Sequence, residues 1–154
     1  MALALTSIYR PPVSSAIYTR DILRLASSIP HLGRLEHPQA SVEKSSPVCG
    51  SRVAVDIALD GEGRVAALGQ QVRACALGQA SAALMGAHAV GRTGADLEAA
   101  RDALADYLAG RRDRPGDWPG LDIFAEARRL PARHASILLA FDAAAEAAAR
   151  ARRR

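Results

Sequence analysis

The sequence predicts an α+β domain, a small antiparallel β-sheet of about three strands with helices packed on it. Three observations carry this. Arg52 to Leu59 alternates, with Val53, Val55, Ile57 and Leu59 on one side and Asp56 on the other, as a half-buried antiparallel strand does. Asp60-Gly61-Glu62-Gly63 then supplies the glycines a tight hairpin turn needs, and a second apolar segment returns from it. Beyond Cys75 the chain is rich in alanine and leucine at helical spacing.

In chain order, residues 1–14 read as a flexible arm, 15–150 as one domain and 151–154 as a basic tail. Ile17, Ile22, Leu23 and Leu25 predict a short helix over about 15–27, stopped before Pro30. Residues 28–46 read as a flexible loop holding His31 and His37, with Ala40 to Ser45 a weak edge-strand candidate. The returning strand, Arg64 to Arg73, places Leu68, Gln70 and Val72 on one face, and Gly69 weakens it. Helix is predicted from Cys75 to about Val90, broken by Gly91-Arg92-Thr93-Gly94, and resumed over Asp96 to Leu108. A charged loop from Gly110 to Gly120 holds Trp118, read as a packing anchor. A short helix over Leu121 to Arg128 and a long one over about 132–152 complete the chain.

With 154 residues, the chain is long enough for a single core. Hydrophobic residues make up 49% but aromatics only 4%, so that core must be built from Ala, Leu, Val and Ile. The net charge of +4 gathers partly in the terminal Arg150 to Arg154, which reads as a solvated helix end. Basic residues are not interleaved with aromatics, which disfavours single-strand nucleic-acid binding. No apolar run reaches the roughly 18 residues of a membrane span. Two cysteines make no disulfide framework, so a reducing, cytoplasmic location is expected.

Those cysteines carry the chemistry. Thiolates are soft ligands for iron–sulfur clusters, zinc and copper(I). Cys49 precedes a glycine at a strand start, and Cys75 sits at a strand-to-helix junction where free N–H groups would activate its sulfur. The hairpin allows both sulfurs to meet at one end of the sheet. Without a Cys-x-x-Cys, a lone pair of cysteines is more often two small buried apolar side chains than a ligand pair. Of the histidines, His134 is the one able to approach the sulfurs. No phosphate loop, Ser-His-Asp order or zinc-protease motif is present, so no enzyme activity is expected.

Four separated segments resemble the NifU N-terminal family, the IscU/SufU-type scaffolds for iron–sulfur cluster assembly. Ser28-Ile29-Pro30-His31-Leu32-Gly33 is similar to the family's Asn-Pro-x-x-x-Gly loop, without the asparagine and with one residue fewer before the glycine, and Pro47-Val48-Cys49-Gly50-Ser51 to its Pro-x-Cys-Gly-Asp motif. Ala74-Cys75-Ala76-Leu77-Gly78-Gln79-Ala80-Ser81 resembles its Gly-Cys-x-x-x-x-Ala-Ser segment, and Pro131-Ala132-Arg133-His134-Ala135-Ser136 its final Pro-x-Arg/Lys-x-x-Cys segment. The extra length over Leu108 to Leu121 resembles the SufU branch, whose scaffolds bind zinc and relay sulfur.

The resemblance implies the family's scaffold fold and binding of iron, a [2Fe–2S] cluster or zinc through Cys49 and Cys75. It also implies a cysteine desulfurase and cluster acceptor proteins as partners. Family scaffolds hold their cargo with three cysteines and an aspartate; here Ser51 stands in the aspartate's place and Ser136 in that of the third cysteine. His134 or Ser136 would complete the site weakly, or a homodimer would supply the missing thiolates. Cys75 is the expected sulfur carrier. The alternative is a degenerate paralogue, a protein-interaction module with no stable metal site.

Overall fold

The computed structural model describes residues 18–153. Strands β1 (Ala40–Ser45), β2 (Arg52–Leu59) and β3 (Val65–Arg73) form one antiparallel sheet in the order β1-β2-β3. The register pairs Ala40 with Ile57 and Ile57 with Leu68, so Val42, Val55 and Gln70 line up across the core face. The register shifts between Ala58 and Leu59, where Ala66 is the extra residue on β3 just after the turn. The helices are α1 (Arg20–Ala26), α2 (Ala76–Ala89), α3 (Gly94–Leu108) and α4 (His134–Arg152). Two 3-10 segments, Leu121–Arg129 and Pro131–Arg133, lead into α4.

Helix α4 is the central column, packed on β1, β2, α2 and α3. Its buried Ala140, Ala143, Ala144, Ala147 and Ala148 let neighbours come close, and Phe141 fills the middle. Trp118 is buried beside it. Its Nε1–H donates to the Leu84 carbonyl at 2.9 Å, its ring meets Phe141 edge-on at 5.4 Å, and the Arg92 guanidinium lies over it. The loop containing Trp118 is thereby pinned to α2. The basic chain end is helical through Arg152.

Three local features differ from the sequence reading. Helix α3 begins at Gly94 instead of Asp96, because Thr93 and Asp96 form a reciprocal capping box. The loop holding His31 is fixed in place: Gln70 N–H donates to the His31 carbonyl at 2.9 Å and Gly33 N–H to the Gln70 carbonyl at 2.8 Å. Gly69 is a packing requirement, since a Cβ there would lie 2.7 Å from the Gly33 carbonyl oxygen. The starting residues expected of the first helix, and the arm before them, fall outside the described residues.

Asp56 anchors this loop on the outer face of the sheet. Its side chain is 1% exposed and accepts Arg34 Nε and Nη2 at 2.8 and 3.0 Å, Leu35 N–H at 3.0 Å and Ser41 Oγ at 2.6 Å. Burial works to raise its pKa, but the hydrogen bonds and the Arg34 charge outweigh it and hold the carboxyl below its ordinary value. The carboxylate therefore stabilises the fold above the ordinary carboxylate pKa, and that contribution is lost as pH falls through about 4 and below. Asp56→Ala should cost roughly 2–4 kcal/mol in denaturant unfolding at neutral pH, because buried donors lose their acceptor. Asp56→Asn should flatten the loss of stability between about pH 5 and 3, and an unchanged acid profile would contradict the assignment.

Candidate functional site

The pairing of β1 with β2 ends at Ser45 and Arg52, and residues 46–51 close the hairpin. Ser46 N–H donates to the Ser51 carbonyl at 2.8 Å and Gly50 N–H to the Ser46 carbonyl at 2.9 Å. Gly50 turns the chain at φ +71°, in the region that favours glycine. This tight loop holds Cys49 out to solvent beside Val48, which is 73% exposed. Cys75 lies just past β3, as the N-cap of α2. Because Arg52 pairs with Arg73, the loop and the junction share one end of the sheet. The first turn of α4 brings Ser136 to the same place.

The four side chains form one continuous chain of contacts. Cys49 Sγ lies 3.1 Å from Ser51 Oγ, Ser51 Oγ 3.0 Å from Ser136 Oγ, and Ser136 Oγ 3.3 Å from Cys75 Sγ. Ser51 and Ser136 are buried, Cys75 is half-buried and Cys49 is exposed. Gly78 makes room for this arrangement: a Cβ there would lie 2.8 Å from Ser136 Oγ and 2.7 Å from the Ala74 Cβ. The Ser81 hydroxyl holds the same interface by donating to the Ile137 carbonyl.

Electrostatics single out Cys49. Its pKa is lowered to about 7, chiefly by the Ser51 hydroxyl. The Ser46 hydroxyl adds to this, burial opposes it, and the Ser51 backbone and the Ser136 hydroxyl make smaller contributions in the same direction as Ser46. Ser46 Oγ is buried and has no well-aligned partner of its own.

The structure thus brings together Cys49, Ser51, Cys75 and Ser136. His134 is placed differently, with Nε2 2.9 Å from the Ala127 carbonyl oxygen. Among the described residues no group of three or more His, Cys, Asp and Glu side chains is set to hold a metal ion. Cys75 differs from expectation: although it is the N-cap, its side chain makes no capping hydrogen bond, and its contact is with Ser136. Two contributors escaped the sequence reading. Ser46 stands three positions before Cys49 in a short hairpin loop, and Gly78 one helical turn after Cys75. Their signal was spacing to a cysteine, legible only once the loop and helix are fixed.

The sequence matches the NifU-like N terminal domain family over residues 17–117, ending before the helix that carries Ser136. No curated protein matches it. Among solved structures, it is similar to the N-terminal part of a NifU-like protein from Brucella abortus, with 35% identity and a TM-score of 0.86. That likeness covers 93% of this chain and 99% of the other. A putative iron–sulfur cluster assembly scaffold protein for the SUF system from Fervidobacterium islandicum shares the fold at 19% identity and a TM-score of 0.77. It covers 84% of this chain and 94% of that one. No helix of the described residues is long and apolar enough to cross a membrane. The chain belongs to the NifU-like N-terminal domain family.

Proposed function

We propose that this chain is a scaffold-type protein of iron–sulfur cluster assembly whose cargo is gripped by Cys49 and Cys75. Ser51 and Ser136 hold those sulfurs by hydrogen bonds and do not act as primary ligands. The observation that carries this reading is the unbroken contact chain Cys49–Ser51–Ser136–Cys75 at one end of the sheet. A serine hydroxyl loses its proton far less readily than a thiol, so it is a poor ligand for a soft metal but a good donor to a metal-bound sulfur. Two thiolates are half of what a cluster commonly needs, and the other half comes from a second copy of the chain. Iron, a [2Fe–2S] cluster and zinc are the cargo classes that such donors suit.

Cys49 is the better sulfur acceptor of the two, being exposed where Cys75 is half-buried, and its thiol pKa is lowered to about 7. Its thiolate attacks the outer sulfur of a persulfide on a cysteine desulfurase. The S–S bond breaks, the desulfurase thiolate leaves with the bonding pair, and Cys49 carries the persulfide. No net oxidant or reductant is needed.

Anaerobic reconstitution with iron and sulfide, alongside zinc titration, tests the grip. Wild type should bind stoichiometric metal, and Cys49→Ala and Cys75→Ala should each abolish it. The double variant Ser51→Asp/Ser136→Cys should bind at least tenfold more tightly, the scale of a ligand-environment change. Uptake by the double variant alone would sink the reading and leave a protein-interaction module. A second test follows the thiol itself. In a Cys75→Ala background, iodoacetamide labelling of Cys49 should have its midpoint near pH 7. Ser51→Ala should move that midpoint upward, toward the ordinary thiol range of about 8.5. A midpoint that ignores Ser51→Ala would contradict the hydroxyl's role.

A further inference from the structure

The outer face of the sheet carries a shallow trough that the thiol site does not use. Two adjoining hollows, of about 340 and 260 Å³, share Glu43, Ala54 and Gln71. Arg34 stands at one end of the trough and Arg52 with Arg73 at the other. Ala54, the smallest of these side chains, lies midway along it. By strand rise, the trough runs about 13 Å along β2.

The thiol end is electrostatically unusual. Arg52 and Arg73 are direct cross-strand partners, and like charges placed directly opposite one another destabilise a sheet. Glu43 offsets only part of this, lying 3.7 Å from Arg52 with both side chains exposed. Arg73 has no ion-pair partner among the described residues. The first seventeen residues contain no Asp or Glu that could supply one. Arg52 directly follows Ser51, and Arg73 is two residues before Cys75, so the arginine end of the trough lies at the same end of the sheet as the thiol site, on the opposite face.

We infer that this trough is a docking groove for an acidic, extended segment of a protein partner, whose carboxylates pair with Arg73 and Arg52 at the sheet end that also carries Cys49 and Cys75. An extended segment suits a trough that is long, open and floored by alanine, whereas a small anion would occupy only its arginine end. The arginine pair, repulsive on its own, is relieved when carboxylates arrive. That the partner exchanges cargo at the thiols rests on the function proposed above; the groove and its charge preference do not.

The test is an NMR titration of the full ¹⁵N-labelled chain with an octaglutamate peptide, with octalysine and inorganic phosphate as comparisons. Shift changes should centre on Arg52, Ala54, Gln71 and Arg73. Affinity should fall about tenfold in Arg52→Gln/Arg73→Gln and rise about twofold in Glu43→Gln, which removes the competing carboxylate. Shifts centred on Arg150 to Arg153, an equal response to phosphate, or no binding would each overturn the proposal. Metal uptake is measured on the same Arg52→Gln/Arg73→Gln protein. If wild type loads metal but ignores the peptide, docking alone fails. If the peptide binds to a chain that takes up no metal, the scaffold reading alone fails.

Discussion

The close seating of α4 against α2 is the constraint on which the rest of this molecule depends. Gly78 has no side chain where the first turn of α4 arrives, and the Ser81 hydroxyl ties down the Ile137 carbonyl one residue past Ser136. Further along α4, alanines keep the separation small from both helices and sheet. A larger residue at position 78 would push Ser136 away from Cys75 and Ser51 and break the contact chain at its middle. The alanine-rich composition, which at first looks like a bland helical bias, is therefore what allows a helix to deliver a functional group to the sheet's end.

The chemistry that results is that of a shared proton network. In the family resemblance, the positions of Ser51 and Ser136 belong to an aspartate and a cysteine, both anionic when they bind metal. Here each is a neutral hydroxyl with one proton to give. The two hydroxyls bridge the sulfurs in an unbroken chain of contacts, and the Cys49 thiol beside them has its pKa lowered to about 7. Such a site carries less negative charge than one of three thiolates and a carboxylate. It suits a sulfur handed on from outside, or a cargo whose remaining ligands come from elsewhere, better than a cation held by one chain alone.

Much of the fold was legible in the sequence because its signals are local. The alternation in β2, the Asp60 to Gly63 turn and the helical spacing beyond Cys75 each report directly on nearby burial. The positions of Cys49 and Cys75 at one sheet end followed from the hairpin. What was not legible depends on contacts between distant segments. Gly69 looked like a weak point in a strand until the Gly33 carbonyl was found against it, and Asp56 looked solvent-facing until Arg34 and Leu35 covered it. Cys75 stands at a helix start, facing the free N–H groups by its place in the chain, yet its side chain makes no capping hydrogen bond and meets Ser136. Chain position alone does not say which way a cysteine side chain points.

The measurement that reaches the central claim most directly is X-ray absorption at the zinc edge of the metal-loaded full chain. A grip by Cys49 and Cys75 gives a first shell with sulfur at about 2.3 Å, two sulfurs contributed by each chain, and Cys49→Ala and Cys75→Ala each lose the bound zinc together with its sulfur scattering. A shell made only of oxygen and nitrogen, or one whose sulfur signal survives both substitutions, would contradict it.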